Sequence, residues 1–175
     1  RHDVLGKFYA EKFEESYNNE LDDDVVYIGS HSLLDTLITP VGEEPLTVGE
    51  MLLSPTRTFA PVIKTILENH FEKVHGLIHC SGGGQTKCMK YIPGNVKVIK
   101  NNLFEPPIIF NLIQEASGIS KQEMYEVFNM GTRLEIYTDE VAAQQMIEIA
   151  KQFNIEAQVV GRFEASDKKE LILEG

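Results

Sequence analysis

Residues 74–86 read VHGLIHCSGGGQT, an apolar run that gives way to three consecutive glycines. The run Val74–Cys80 predicts a β-strand, and Gln85–Tyr91 predicts a short helix. Gly82, Gly83 and Gly84 therefore sit between a strand and a helix, where unpaired backbone N–H groups point outwards and the helix dipole favours an anion. Glycine accepts positive φ and carries no side chain to obstruct a ligand, so the amides can converge. A phosphate is the natural guest, with Ser81 and Thr86 as hydroxyl donors and Lys87 or Lys90 as the charge. The spacing is neither the P-loop GxxxxGK[ST] nor the dinucleotide GxGxxG. A tight strand-to-helix turn with no ligand accounts for the three glycines as well.

Further along the chain, VKVIK (96–100) predicts a second strand. PPIIFNLIQEAS starts a helix on Pro106 and Pro107, with Ile109, Phe110, Leu112 and Ile113 along one face. That apolar stripe is explained by core packing without invoking a cofactor. SKQEMYEVF opens with Ser120 and Glu123 in a capping-box pattern. TRLEIYT (132–138) alternates as a strand, DEVAAQQMIEIAKQF (139–153) is a helix capped by Asp139, AQVVGRFEA (157–165) is a strand, and LILE (171–174) is expected to pair with it. Strands interleaved with helices mean a mixed sheet covered by helices.

Towards the N-terminus, SPTRTFAPVIKTILENHF predicts a helix from Ser54, with Pro61 marking either its true first turn or a kink. Residues 1–50 read as an irregular acidic segment, with the run ELDDDVV and the turn-forming TPVGEEP around Pro40, Gly42 and Pro45. Within them VVYIG (25–29) is a strand candidate and Ser32–Leu37 a helical turn.

The 175 residues, 42% hydrophobic, are enough for one sizeable core, with one compact domain as the default. A net charge of -11, from 27 acidic and 16 basic residues, repels nucleic acid and anionic membrane, so an anionic ligand must be held by a local site. Cys80 and Cys88 form no CxxC pair or metal-ligand cluster, which fits a reducing cytosol and a cytoplasmic protein. No stretch approaches the ~20 apolar residues of a membrane span, and RHDVLGKFYAEKF lacks the apolar centre of a signal peptide. Arg1 in first place suggests processing or a piece of a longer protein. His75 and His79 share one side of the predicted strand. Without a third ligand, packing or hydrogen bonding suits them better than a metal.

Four ordered stretches, LLSPTRTF (52–59), HGLIHCSGGG (75–84), FEPPIIFNLIQEASGISKQEMYEVFNMG (104–131) and VVGRFEAS (159–166), resemble the C-terminal domain of aminoimidazole ribonucleotide synthetase, or phosphoribosylformylglycinamidine cyclo-ligase. The resemblance covers residues 50–167. It implies an α/β fold, a three-layer α/β/α domain with a mixed sheet, distantly ferredoxin-like. It also implies that residues 51–175 are that C-terminal domain, that residues 1–50 are an insertion, and that an N-terminal ATP-binding domain lies outside this sequence. The implied reaction is the ATP-dependent closure of formylglycinamidine ribonucleotide to aminoimidazole ribonucleotide, with ATP and magnesium held mainly by the other domain, in a homodimer.

By the same resemblance Ser81, Gly82, Gly83 and Gly84 take the substrate's 5'-phosphate. Phe128, Asn129 and Gly131 match an FN-x-G motif that walls the same cleft, although Asn129 with Gly131 also reads as an ordinary helix end. Arg57 matches a PTR motif and is either a phosphate or carboxylate contact or a structural pair. The segment after the glycines departs from the family pattern: QTKCMKYIP lacks the usual Asn and Pro-Arg, and Lys90 stands where the Arg is expected. That departure leaves open a non-catalytic or regulatory phosphometabolite-binding relative, or another ATP-using member of the superfamily.

Overall fold

The computed structural model describes residues 1–37 and 45–174, so the TPVGEE turn expected at 39–44 lies outside the described residues. In chain order the elements are α1 (Phe8–Lys12), β1 (Thr36–Leu37), β2 (Leu46–Thr47), α2 (Val48–Leu53), α3 (Ala60–His70), β3 (Gly76–His79), a 3-10 helix (Gly84–Lys90), β4 (Val96–Lys100), α4 (Ile108–Ser117), α5 (Lys121–Val127), β5 (Leu134–Tyr137), α6 (Glu140–Gln152), β6 (Gly161–Ala165) and β7 (Glu170–Leu173). From residue 74 onwards this is the order that the sequence pattern predicts, and the fold is mixed α/β. The chain divides into two compact units, one of Arg1–Thr56 with Pro106–Met124 and one of Arg57–Glu105 with Tyr125–Gly175.

The first unit is built on Val4, Leu5, Tyr9, Val26, Tyr27 and Val48, with Ile109, Leu112 and Ile113 of α4 packed against them. The apolar stripe of α4 thus packs, half-buried, on this core. The first 56 residues, irregular in pattern, nevertheless carry most of this cluster. The strand expected at 25–29 is absent. Tyr27 takes a left-handed φ of 49°, which breaks an extended run, and the segment is tied instead by Ile28 N–H to the His2 carbonyl (2.8 Å) and His31 N–H to the Val4 carbonyl (3.0 Å). The helical turn expected from Ser32 is a single turn, Asp35 N–H to Ser32 O, after which the chain runs into β1, paired antiparallel with β2. Helix α2 escapes the sequence reading, although its signal is plain: Thr47 and Glu50 form a full capping box.

In the second unit α3 begins at Ala60, not Ser54. Pro61 falls in the first turn, where its missing N–H costs nothing, so of the two readings of that proline the first-turn one holds. Val62 and Ile66 of α3 pack with Ala142, Met146 and Ala150 of α6, each set spaced by four residues. The Asp139 carboxylate accepts the Ala142 N–H at 2.9 Å and caps α6 as expected. This unit holds two of the three sheets found among the described residues. Strands β3 and β5 pair antiparallel, and β4 lies between β6, antiparallel, and β7, parallel. The LILE segment therefore pairs with β4 and not with the 157–165 strand, because β4 offers both of its edges. Regular pairing in that strand also starts only at Gly161.

Candidate functional site

The glycine loop leaves β3 at His79 and re-enters regular structure at Gly84. Gly83 has φ 95° and Gly84 φ 45°, both left-handed. A Cβ on Gly84 would collide with the carbonyl oxygens of Tyr125 and Phe128, whereas Gly82 has nothing within 4 Å of where its Cβ would stand. Within the loop, Ser81 N–H donates to His79 O (2.8 Å) and Gly84 N–H to Ser81 O (3.1 Å). The amides of Gly82 and Gly83 donate to no group among the described residues. An amide pair left undirected in an exposed loop is what an anion needs.

Two side chains complete the loop. Lys87 Nζ donates to Ser81 Oγ at 2.7 Å and to His79 O at 2.9 Å, which leaves one ammonium proton and the Ser81 hydroxyl proton uncommitted. Thr86 turns inwards, its Oγ1 donating to the Gly83 carbonyl at 2.8 Å, and so is spent on the loop itself. Of the two lysines offered by the sequence, Lys87 reaches the loop, and Lys90 is exposed at the far end of the 3-10 helix.

The remaining candidate residues have structural commitments. Asn129 Oδ1 accepts the Gly131 N–H at 2.9 Å, a turn that carries Met130 and Gly131 through positive φ of 49° and 99°. The Asn129 carbonyl accepts from Gln85 Nε2 at 2.7 Å, so this turn is bonded to the residue that follows the glycines. Arg57 Nη2 donates to the Phe153 carbonyl at 2.9 Å and caps the C-terminal end of α6; its guanidinium is engaged there, away from the loop's hydrogen bonds.

Beneath the loop lies a polar group that sequence reasoning missed. Lys100 Nζ is 2.5 Å from Glu135 Oε1, with both side chains 3% exposed. The same ammonium reaches Gln85 O at 2.7 Å and Gln85 Oε1 at 3.2 Å, and Tyr137 donates its hydroxyl to Glu135 Oε2 at 2.5 Å. Burial together with the Glu135 charge pushes the Tyr137 phenol far above its usual range and the Cys80 thiol up to about 12; burial also raises the Cys88 thiol. Both cysteines are buried and unreactive by this reasoning. The only hint in the sequence is a charge at the end of one apolar strand, VKVIK, and one inside another, LEIY.

A concavity of about 510 Å³ adjoins the loop through Lys87 and is lined by His75, Leu77, His79, Tyr137 and Phe163 among others. This is within the usual size range of small-molecule sites. The Tyr137 and Phe163 rings meet edge-on at 5.2 Å, and the buried Thr138 Oγ1 beside them has no hydrogen-bond partner. His75 and His79 are exposed on its wall, His79 with its ring 6.4 Å from that of Phe59. Among the described residues no group of three or more His, Cys, Asp or Glu is placed to hold a metal ion, and no helix is long and apolar enough to cross a membrane.

A family model described as "AIR synthase related protein, C-terminal domain" matches residues 23–174. The chain belongs to this family. Among curated AIR synthase relatives, a phosphoribosylformylglycinamidine cyclo-ligase of Methanocaldococcus jannaschii is 41% identical over 117 residues, covering 66% of this chain and 33% of the relative. One of Lachnospira eligens is 32% identical over 145 residues, covering 82% and 41%, and one of Carboxydothermus hydrogenoformans is 30% identical over 129 residues, covering 73% and 37%. The chain thus spans between a third and two-fifths of the length of these relatives. The AIR synthase match begins well inside the acidic N-terminal segment, which ties part of that segment to the family domain.

Proposed function

We propose that this chain is the C-terminal part of an ATP-dependent cyclo-ligase that converts formylglycinamidine ribonucleotide to aminoimidazole ribonucleotide, and that Ser81–Gly84 hold the substrate's 5'-phosphate. Family membership and the relatives' name support the reaction. The observation that carries the site is the pair of undirected Gly82 and Gly83 amides, flanked by the free protons of Ser81 and Lys87. Four donors in one loop suit a dianion: hydrogen bonds to a charged oxygen are about twice as strong as neutral ones. Lys87 supplies the cation that the family pattern places further along. The adjoining concavity takes the rest of the ribonucleotide, with Asn129 and Gly131 shaping the loop from behind.

ATP activates the formyl oxygen when it is bound. By family membership, ATP and its magnesium are assigned mainly to the N-terminal part of the full protein, a cytoplasmic homodimer. The role left to this chain is to fix one end of the substrate, so that its formyl group meets ATP in one orientation before the intramolecular ring closure. The isolated chain accordingly binds phosphate or sulfate weakly and turns nothing over. Titration with inorganic phosphate, followed at the Gly82 and Gly83 amides, tests the site. Gly83→Val should abolish the response, and an unchanged affinity in that variant refutes the loop assignment. For the whole protein, ATP hydrolysis that fails to depend on formylglycinamidine ribonucleotide would sink the cyclo-ligase reading.

The altered QTKCMK segment, with Thr86 turned inwards, favours a second reading: a non-catalytic phosphometabolite-binding relative. Complementation of a purine auxotroph lacking the cyclo-ligase by the full-length gene would exclude it.

A further inference from the structure

We propose that Lys100 is a positioning residue for the glycine loop, acting through Gln85 to hold the loop amides and the Asn129 turn in one arrangement. This rests on the reading of the loop as a phosphate site. A buried ammonium needs an acceptor for each of its three protons. Lys100 has them in Glu135 Oε1, Gln85 O and Gln85 Oε1, so two of the three belong to the residue directly after the third glycine. Gln85, itself fully buried, passes its amide on to the Asn129 carbonyl. One chain of bonds therefore runs from β5 through β4 to both segments of the proposed site.

Stability alone does not call for this arrangement, because an apolar pair of similar volume holds a core as well as a buried ion pair does, or better. What an apolar pair lacks is the capacity to fix a carbonyl and a carboxamide oxygen at set distances. The loop needs such an anchor. Gly82 has nothing within 4 Å of where its Cβ would stand and Gly83 and Gly84 are left-handed, so the glycines contribute no side-chain packing, and besides the bonds from Thr86 and Lys87 their conformation is set from the two ends. One end is β3; the other is Gln85. A tract of glycines that is ordered before the anion arrives does not lose that conformational entropy on binding.

The test uses Lys100→Met/Glu135→Leu, which removes both charges together, and Gln85→Met, which keeps the ion pair and cuts the link to Asn129. Thermal melting, amide order at Gly82 to Gln85 by nitrogen relaxation, and titration with inorganic phosphate are read well below the melting point. In the double variant a cooperative melt is expected with mobile loop amides and phosphate affinity lower by about tenfold, the effect of roughly one lost charge-assisted hydrogen bond. Gln85→Met should lose about threefold. Loop order and phosphate affinity within about twofold of the parent in a folded variant overturn the proposal. Should the double variant not fold, Gln85→Met decides by the same two readings. If the unaltered chain gives no phosphate response, the phosphate-site reading falls, and loop order in the variants alone decides the positioning claim.

Discussion

The two units of this chain solve the burial problem in opposite ways. Among the described residues, the buried side chains in the unit of residues 1–56 and 106–124 are apolar or aromatic, whereas the four buried polar ones, Gln85, Lys100, Thr132 and Glu135, belong to the other unit. Polar groups are costly to bury and are tolerated where every donor and acceptor is matched. Here they gather directly under the glycine loop and the Asn129 turn. The contrast separates a unit whose interior serves packing from one whose interior also sets the geometry of a surface.

The sharpest way to break this contrast is Lys100→Met, which strands the Glu135 carboxylate in the interior. We expect a loss of about 3–5 kcal/mol in urea denaturation. A loss under about 1 kcal/mol would mean that the pair is far less buried than its geometry indicates. Gly84→Ala comes next, because the added methyl meets two carbonyl oxygens and a left-handed backbone; about 2–3 kcal/mol and loss of phosphate binding are expected together. In the apolar unit, Tyr9→Phe removes the hydroxyl that accepts the Leu33 N–H at 2.7 Å, and should cost about 1 kcal/mol while leaving phosphate binding unchanged.

Titration gives the finer distinctions. The Cys80 thiol, pushed up to about 12, and the raised Cys88 thiol stay protonated in the native protein while the unfolded chain ionises near 9.0. The unfolded state then binds fewer protons, so stability is intact below about pH 9 and falls as pH rises towards 12. Cys80→Ala/Cys88→Ala should flatten that alkaline limb. Aromatic disulfide reagents at pH 8 should leave both thiols untouched in the folded chain. On the acid side, the Ala142 N–H and then Lys73 hold the Asp139 carboxyl below its usual value. Its contribution is present above the unfolded value near 3.8 and is lost as pH falls through the lower native one. Asp139→Asn keeps the cap but loses the Lys73 ion pair, so it should lower stability slightly at neutral pH and remove this acid dependence.

Much of the second unit was legible because its signals are local. Asp139 announces α6, and three glycines after an apolar run announce the loop, while in the first unit Pro106 and Pro107 announce only α4. The first unit was harder: Tyr9, Tyr27 and Val48 are brought together by turns and isolated bonds and share no period, and the capping box of Thr47 and Glu50 was the one local sign of α2. The pairing of β7 with β4 is a tertiary choice that alternation cannot express. The polar group was illegible for the same reason. A lysine ending one strand and a glutamate within another look like ordinary surface charges until the packing of two separate sheets places them 2.5 Å apart.

The bonds that hold Gln85 span 15 residues to Lys100 and 44 to Asn129, and Lys100 reaches 35 further to Glu135. A nascent chain therefore exposes its glycine loop well before the groups that arrange it have been synthesised, and closing such long loops precedes any reward from the contacts. The anion site should mature late, after β4 and β5 are in place. In pulsed hydrogen exchange during refolding, the Gly84–Lys90 amides should gain protection after those of α3 and α6, so that competence to bind arrives as the last event of folding.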